Sequence, residues 1–254
     1  MQQQKRKEKI RHALVLGGSG DLGVAVVREF VANGVKAVSF TYGSNLRTAA
    51  RLAKELKKKG VKTYFASPDL LDDKAFRAFL DKAVRAVGEE ITTMVNTVAI
   101  SPDRPLKEQT VELWRRVLDV NLISSFIVTR AVADRMKRKG IPGSIVLVAS
   151  DNGINAHSPF SAPYDSSKAA QIHKTKNIAE PYAPGVRINS VSPGWFNSKL
   201  NRTVPKREVQ KETKKIWLKR FLEPQEVAWA IYFLASPKAI ALYGQNIVPN
   251  GGYR

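Results

Sequence analysis

Short apolar and β-branched runs alternate with longer amphipathic stretches along almost the whole chain. The runs predict strands over residues 13–16, 35–42, 61–66, 91–98, 144–149, 186–191 and 246–248. The stretches between them predict helices over residues 22–32, 46–59, 72–87, 106–118, 122–139, 166–179 and 224–234. Because strands that alternate with helices form parallel sheets covered on both faces, the pattern predicts an α/β fold with a doubly wound parallel sheet.

Length and composition fit a single domain. A chain of 254 residues, of which 43% are hydrophobic, can bury a sizeable core. It contains no cysteine, which excludes disulfides and cysteine nucleophiles, and its three histidines form no metal-ligand pattern, so no metal site is predicted. No apolar run reaches the length of a membrane span, and we expect a cytoplasmic protein. Residues 1–11 are predicted to be a flexible basic arm before a domain at 12–254.

The net charge is the unusual global property. Lys and Arg number 42 against 22 Asp and Glu, which gives a formal charge of +20. Such a field attracts nucleotide phosphates, acidic proteins and nucleic acids, although a well-solvated basic surface explains it equally well. Nucleic-acid binding has the least support, because no nucleic-acid motif or aromatic platform accompanies the charge.

Residues 195–220 follow a predicted strand and lack a regular pattern. They include two acidic residues and nine basic ones: Lys199, Arg202, Lys206, Arg207, Lys211, Lys214, Lys215, Lys219 and Arg220. Ligand sites of open α/β sheets gather at the carboxyl ends of the strands. A segment at that edge is well placed to cover a substrate, so we predict a basic substrate lid here.

A glycine-rich turn lies between the first predicted strand and the first helix. It reads Leu-Gly-Gly-Ser-Gly-Asp-Leu-Gly over residues 16–23. Glycines in such a turn let backbone amides and the helix N-terminus approach a pyrophosphate. The turn therefore predicts a Rossmann-type dinucleotide site with contacts from Gly17, Ser19, Gly20, Asp21 and Leu22; a glycine turn without a ligand is the alternative.

The end of the second predicted strand indicates which dinucleotide binds. The segment Phe-Thr-Tyr-Gly-Ser-Asn there has no acidic side chain. A carboxylate at this point would bind the ribose 2′-hydroxyl of NAD and repel the 2′-phosphate of NADP. Its absence, with Arg47 and Lys54 close by in sequence, favours NADP(H) as the cofactor, with contacts from Tyr42, Ser44 and Asn45.

Asp69 and Leu70 follow the third predicted strand. One interpretation is a hydrogen bond from the adenine amine of the cofactor to Asp69. An ordinary turn or N-cap aspartate explains the residue equally well.

Candidate chemistry is carried by Tyr164 and Lys168, which are four residues apart. On a helix this spacing places both side chains on one face. A free phenol has a pKa of about 10, too high for ready proton exchange at neutral pH. An ammonium beside it favours the phenolate, so we expect Lys168 to lower the pKa of Tyr164 and the pair to act as acid and base. Together with a dinucleotide site, this pair indicates hydride transfer.

With these motifs identified, the chain resembles a classical short-chain dehydrogenase/reductase over nearly its whole length, from residue 13 to residue 252. Within that family it is most similar to the 3-oxoacyl-(acyl-carrier-protein) reductase type. The strings Glu-Pro-Gln-Glu-Val-Ala and Asn-Gly-Gly near the C-terminus also match the family. Further landmarks that match are Asn96 at the start of the Asn-Asn-Ala-Gly segment, Asn121 in Asp-Val-Asn, Ser150 after the fifth strand, and Pro193-Gly194 near the nicotinamide.

The resemblance implies an NADPH-dependent carbonyl reductase acting on a β-ketoacyl thioester or a related ketone. It implies that Tyr164 gives its proton to the carbonyl oxygen and that Ser150 hydrogen-bonds this oxygen. Lys168 would also hold the nicotinamide ribose, and Asn121 would position a water in the proton relay. Family members are commonly homotetramers, so a homo-oligomer is expected, either tetramer or dimer. The basic lid and the basic run at 135–139 could attract an acidic carrier protein.

Three departures from the family pattern stand out. Asp21 replaces the middle glycine of the turn, where its side chain narrows the approach to the phosphates unless it caps the helix and points away. Asn-Thr-Val-Ala replaces Asn-Asn-Ala-Gly at residues 96–99, and Pro181 should end the helix that carries the Tyr/Lys pair. The first two departures leave open an alternative function, a catalytically weak NADP(H)-binding scaffold or sensor.

Overall fold

In the computed structural model, which describes residues 9–199, 201 and 204–254, seven parallel strands form one sheet. The strands are β1 His12–Leu16, β2 Ala37–Thr41, β3 Lys62–Ala66, β4 Thr93–Asn96, β5 Gly143–Val148, β6 Val186–Val191 and β7 Asn246–Ile247. Their spatial order is β3-β2-β1-β4-β5-β6-β7. Because the order reverses between β1 and β4, a crevice opens at the carboxyl ends of these strands. The predicted single-domain, doubly wound α/β fold is confirmed.

Helices cover both faces of the sheet. Within the described ranges they are α1 Asp21–Ala32, α2 Leu46–Lys58, α3 Asp73–Val87, α4 Val111–Leu118, α5 Ser124–Arg138, α6 Ala162–Ala179, α7 Lys206–Lys215 and α8 Pro224–Ala235. None of these helices is long and apolar enough to cross a membrane.

The core lies in two layers because successive side chains of a strand point to opposite faces. On β1, Val15 faces a cluster that includes Phe30 of α1 and Ile231 of α8. Its neighbour Leu14 faces the opposite cluster, with Phe76 of α3. Central strands are thus buried on both faces, which explains their short, almost continuously apolar sequences.

Two of the predicted helices begin later than expected by two residues or more. The helix predicted from residue 106 begins at Val111, because the Thr110 hydroxyl accepts a hydrogen bond from the Leu113 amide at 3.2 Å and caps the helix there. The helix predicted from residue 122 begins at Ser124, after one turn of π-helix at Asp119–Ile123.

Helix α6 begins at Ala162, four residues earlier than predicted, so Tyr164 and Lys168 both lie on it. A proline in its first turn explains the early start, since proline fits the first helical positions without loss of a hydrogen bond. The helix ends at Ala179, before Pro181, as predicted.

The segment predicted to be irregular, 195–220, contains helix α7, so that prediction is wrong for ten of its residues. The start of the segment is attached to the strand-like stretch before α8. The Leu222 amide donates to the Trp195 carbonyl, the Asn197 amide donates to the Leu222 carbonyl, and the Trp195 and Phe221 rings stack with centroids 5.4 Å apart. Residues 200, 202 and 203 of this segment, and residues 1–8 of the predicted arm, lie outside the described residues.

Arg187 on β6 is a buried cation, with only 1% of its surface exposed. Its guanidinium donates to four carbonyls at the end of α8, at distances of 2.7 to 3.3 Å: Leu234, Ala235, Ser236 and Ala239. Because the last carbonyls of a helix have no partner within it, Arg187 satisfies them and fastens the end of α8 to the sheet.

Candidate functional site

The glycine turn between β1 and α1 is tightly packed. Gly17 has a φ of 76°, a conformation that favours glycine. A Cβ on Gly23 would lie 2.2 Å from the Gly17 carbonyl oxygen, so the helix can approach the turn only without a side chain there. The Thr97 hydroxyl donates to the Leu16 carbonyl at 2.8 Å, which ties the turn to the end of β4.

The N-terminus of α1 presents backbone amides at this turn. Gly20 is its N-cap and no side chain caps it, while the first backbone hydrogen bond runs from the Val24 amide to the Gly20 carbonyl at 2.8 Å. The amides of Asp21 to Gly23 come before that bond, where a helix has donors to spare. A glycine turn with such donors fits the diphosphate of a dinucleotide.

Asp21 does not cap α1. Its carboxylate instead accepts a hydrogen bond from the backbone amide of Lys199, in the segment predicted to be a lid. The negative charge therefore stays at the first turn of α1 but is engaged with another part of the chain. This contact connects the altered glycine motif to the proposed lid, and it was not predictable from the sequence because the residues are 178 positions apart.

The predicted contacts after β2 have different environments. Tyr42 is half-buried and packs against Phe65, with ring centroids 6.0 Å apart, while Ser44 is exposed. The Asn45 side chain caps α2 by accepting from the Thr48 amide at 3.1 Å. No carboxylate lies between β2 and α2, which leaves this end of the turn free of the charge that would repel a 2′-phosphate.

Asp69 forms a local turn, since its carboxylate accepts from the Leu71 amide at 2.8 Å. One carboxylate oxygen of Asp69 therefore forms the predicted turn. The predicted N-cap role is filled by Asp72 instead, which caps α3. Contacts of Asp69 and Leu70 with adenine stay a prediction.

The ends of β4, β5 and β6 meet in this crevice. Asn96, which is buried, accepts from the Val98 amide at 3.0 Å. The Pro193 carbonyl accepts from the Asp151 amide at 2.9 Å, and the Gly194 amide donates to the Pro249 carbonyl at 3.1 Å. A Cβ on Gly194 would lie 2.8 Å from that of Asn250. The predicted nicotinamide-end residues are thus packed between the segment after Ser150 and the C-terminal loop.

Tyr164, Lys168 and Ser150 are brought together. The Ser150 side chain lies at the Tyr164 phenol, close enough to lower its pKa. The Lys168 ammonium lies 5.4 Å from the centroid of the Tyr164 ring and donates to the Val148 carbonyl at 2.8 Å. Strand β5 thus positions two of the three groups, because Val148 ends the strand and Ser150 follows it.

Asn121 is connected to Tyr164 by hydrogen bonds through Ser167 on α6. It is fully buried in the π-helical turn, and its side chain exchanges two hydrogen bonds with the backbone of Ile100, at 2.8 and 2.9 Å. Its amide also donates to the Ser167 hydroxyl at 3.0 Å, which itself donates to the Tyr164 carbonyl at 2.6 Å. A π-helical turn is often found at functional sites, and here it places Asn121 between a surface loop and the helix of the Tyr/Lys pair.

The pKa values of the pair differ from the sequence expectation. Burial raises the pKa of Tyr164 to about 12; the nearby Ser150 side chain opposes this rise, and the charges of Asp165 and Asp103 add to it. Burial lowers the pKa of Lys168 to about 7. The expected lowering of the Tyr164 pKa by Lys168 is not found, because both groups lose solvation and the ammonium faces the ring and a carbonyl.

Sequence reasoning missed several supporting side chains. Ser167 joins Asn121 to Tyr164, as described above, and the Gln171 amide donates to the Val148 carbonyl at 2.8 Å, the same acceptor that Lys168 uses. Gln171 is buried and lies three residues beyond Lys168, so a polar residue on that helix face was the available signal. Within the described ranges, no group of three His, Asp or Glu side chains could hold a metal ion.

Fold and site together define a class of protein, the α/β oxidoreductases that carry a nicotinamide dinucleotide at a glycine turn. A family model described as enoyl-(acyl carrier protein) reductase matches residues 19–254. The chain belongs to the short-chain dehydrogenase/reductase family, and the resemblance stated from its sequence is confirmed.

Individual relatives agree with this assignment. The NADP-dependent (R)-specific alcohol dehydrogenase of Lentilactobacillus kefiri is 31% identical over 245 residues, which cover 95% of both chains. The acetoacetyl-CoA reductase of Rhizobium meliloti strain 1021 is 30% identical over 246 residues, covering 95% of this chain and 98% of the relative.

Solved structures show the same similarity. A gluconate 5-dehydrogenase from Burkholderia cenocepacia J2315, in complex with NADP and tartrate, has a TM-score of 0.88 at 28% identity, with coverage of 97% of this chain and 96% of that one. A 3-oxoacyl-[acyl-carrier protein] reductase from Brucella melitensis ATCC 23457 has a TM-score of 0.85 at 29% identity, with coverage of 97% and 92%.

Proposed function

We propose that this oxidoreductase is an NADPH-dependent carbonyl reductase, which converts a β-ketoacyl thioester or a related ketone to the alcohol. The observation that carries the proposal is the convergence of the Tyr164 phenol, the Ser150 side chain and the enclosed ammonium of Lys168, which lies 5.4 Å from the centroid of the Tyr164 ring. A proton donor, a second hydroxyl and a cation in one place suit the delivery of a proton to a carbonyl oxygen. The names of the alcohol dehydrogenase and acetoacetyl-CoA reductase relatives support the same chemistry.

The chain's own residues manage the proton. When bound, NADPH supplies the hydride that the carbonyl carbon accepts. Tyr164 donates its Oη proton to the carbonyl oxygen, and the Ser150 hydroxyl donates a hydrogen bond to the same oxygen. Because its pKa is about 12, the phenol is protonated at neutral pH and ready to donate. The Lys168 ammonium stabilises the negative charge that develops on the phenol oxygen, and Asn121 is proposed to position the relay water.

The cofactor is proposed to lie along the glycine turn. Its phosphates would meet the amides at the N-terminus of α1, and its 2′-phosphate would lie near the carboxylate-free end of β2. The proposed contacts are Gly17, Ser19, Gly20, Asp21, Leu22, Tyr42, Ser44, Asn45, Asp69, Leu70, Asn96, Tyr164, Lys168, Pro193 and Gly194.

An acidic acyl carrier would dock on the proposed lid rather than on the basic run at 135–139. Arg135 is engaged with Asp81 and Glu90, at 2.6 and 2.8 Å, and Lys137 donates to a backbone carbonyl at 3.1 Å. Helix α7 of the lid instead presents exposed cations, among them Lys206 and Arg207. These cations are the better match for an acidic surface.

A homo-oligomer is proposed from two exposed apolar faces. Trp229 and Phe233 on α8 are 56% and 39% exposed, and Ile123 and Phe126 at the start of α5 are 44% and 39% exposed. If both faces form subunit contacts, the chain assembles as a tetramer; if only one of them does, it assembles as a dimer. Light scattering of the purified chain distinguishes the two, and localisation in the cytoplasm stays a prediction.

The decisive assay follows NADPH oxidation with a β-ketoacyl thioester, for the wild-type chain and for Tyr164→Phe. We expect turnover in the wild type and a loss of about 10³-fold in the variant, with NADPH binding retained, because only the proton donor is removed. Equal turnover in both chains would refute the proposed mechanism.

The alternative, a weak NADP(H)-binding scaffold or sensor, rested on Asp21 and on the altered segment at residues 96–99. The engagement of the Asp21 carboxylate with Lys199 weakens this argument, because the side chain has a partner outside the glycine turn. Tight binding of NADPH in a fluorescence titration, without turnover of any of a panel of ketones, would favour the alternative.

A further inference from the structure

The loop between Ser150 and Tyr164 is held by hydrogen bonds to a single side chain, that of Asp165. The Asp165 carboxylate accepts three hydrogen bonds from this loop, all between 2.8 and 2.9 Å. One oxygen accepts from the Asn152 amide group and the Ser161 hydroxyl, and the other accepts from the backbone amide of Ser158. A single half-buried carboxylate thus holds both ends and the middle of the loop.

A second carboxylate anchors the same loop from the other side. Asp151 is 2% exposed, and it accepts from the side-chain amides of Asn155 at 2.8 Å and Asn250 at 3.3 Å. The loop also meets the segment before α4, where the Gln109 side chain donates to the Pro159 carbonyl at 2.7 Å. The loop is therefore fixed on several sides, and Asp165, which makes three of these contacts, directly follows Tyr164 in the chain.

The position of Asp165 gives its charge a second effect. It directly follows Tyr164, and the charged groups that face the phenol are Asp165, Asp103 from the segment before α4, and the Lys168 ammonium. A negative charge this close disfavours the phenolate and keeps the proton on the oxygen. Both aspartates act in this direction on the Tyr164 pKa.

We propose that Asp165 is a positioning residue of the reductase: it holds the 152–161 loop as a wall of the ketone site and keeps a negative charge beside the phenol that donates the proton. The ketone site and the reductase activity in this inference rest on the proposed function. The loop contacts and the charge effect are properties of the chain itself, so they can be measured without turnover.

Asp165→Asn is the sharpest variant, because it preserves shape. The asparagine keeps one acceptor oxygen for Asn152 and Ser161, but its amide group faces the Ser158 amide, and two donors cannot bond. We expect hydrogen exchange of the Ser158 amide to accelerate about tenfold. Asp165→Ser, which is shorter, should loosen the whole loop and raise exchange across 152–161.

Asp103→Asn is the matched control, since it removes the same charge from the phenol's surroundings without a bond to the 152–161 loop. A fluorotyrosine at position 164, whose phenol titrates at lower pH, allows ¹⁹F NMR to follow its ionisation in the folded chain. We expect the midpoint to move to lower pH in both variants, but exchange at Ser158 to rise only in Asp165→Asn.

Unchanged exchange at Ser158 in Asp165→Asn would overturn the positioning role, and an unchanged midpoint would overturn the charge effect. In the reductase assay, Asp165→Asn should raise KM for the ketone several-fold and shift the alkaline limb of the pH profile to lower pH; an unmoved KM and limb would also contradict the proposal. If the wild type reduces no ketone, the proposed function fails, while exchange and NMR still decide the role of Asp165.

Discussion

Two groups of cations in this chain lie in opposite surroundings. Lys168 and Lys174 on α6 are enclosed to different degrees, since Lys168 is buried and Lys174 half-buried, and burial lowers the pKa of each to about 7. The cations of α7, in the proposed lid, face solvent, and those with partners are bound by neighbouring glutamates, as in the Lys215–Glu212 pair at 2.7 Å. Both regions are basic, but the charges of α7 are hydrated, whereas those of α6 have lost much of their hydration.

This difference in hydration determines what each group of cations can interact with. An exposed ammonium is stabilised by water, so it contributes mainly to long-range attraction of anions. An enclosed ammonium has lost that hydration, so it gains more from any negative charge that develops next to it. We therefore propose that the exposed cations of the lid attract anionic ligands and that the buried Lys168 of α6 takes part in the proton transfer. Four predictions test this contrast.

The largest expected effect separates the two enclosed lysines of α6. Lys168→Met should lower kcat/KM for the ketone by about 10²-fold or more, because the charge beside Tyr164 is removed. Lys174→Met should change it only a few-fold, since that ammonium donates to Ser125 at 2.8 Å rather than lying at the phenol. Steady-state kinetics of both variants give the comparison. Equal losses of kcat/KM would mean that the position of Lys168 beside the phenol has no special effect.

Arg187 provides the test for a buried cation with a structural role. Arg187→Ala should lower the free energy of unfolding by about 3 kcal/mol or more, because several buried carbonyls at the end of α8 lose their donor. Lys206→Ala in the exposed α7 should change it by less than about 0.5 kcal/mol. Urea denaturation of both variants checks this, and similar values would remove the contrast between buried and exposed cations.

The pH dependence of stability follows from the two enclosed lysines. Their folded pKa is about 7, well below the pKa of about 10.4 for lysine in an unfolded chain. Between these values the unfolded chain binds more protons, so the free energy of unfolding should rise from pH 7 to pH 9 and fall as the pH returns to 7. Denaturation at pH 7, 8 and 9 should show a smaller rise in Lys174→Met, and an identical rise would show that Lys174 does not contribute.

The smallest effect concerns the contact between the glycine turn and the lid. Asp21→Gly removes a negative charge from the first turn of α1, so NADPH should bind about three- to tenfold more tightly. Loss of the Lys199 contact should also expose the basic lid to faster cleavage by trypsin. Asp21→Asn, which keeps an acceptor oxygen, should gain affinity without faster cleavage. Weaker NADPH binding in Asp21→Gly would show that the carboxylate supports the cofactor site instead.

Local sequence patterns were sufficient for most of the fold. Strand β6 was predicted with its observed bounds, because a short β-branched run leaves little choice of element. The parallel, doubly wound sheet followed from the alternation of strands and helices, and the glycine turn lay where the pattern placed it. The start of α4 was missed because a single threonine cap decided it against an apolar pattern that began earlier.

The candidate site was predictable as a set of residues but not as an environment. Tyr164, Lys168, Ser150 and Asn121 were all singled out from spacing and resemblance. The direction of the Tyr164 pKa was not, because it depends on burial and on the acceptor that Lys168 finds, neither of which has a local signal. The Asp21–Lys199 contact and the loop bonds of Asp165 likewise depend on distant segments or on a loop without periodicity.

The most direct test of the account uses NADPH carrying deuterium at the transferable position of the nicotinamide, a β-ketoacyl thioester, and mass spectrometry of the product. We predict one deuterium on the carbinol carbon of the alcohol formed by the wild type. We predict no detectable labelled alcohol from Tyr164→Phe in the same time, although the variant binds NADPH. Labelled alcohol at equal rates from both chains would contradict the central claim that Tyr164, held by Ser150 and Lys168, delivers the proton.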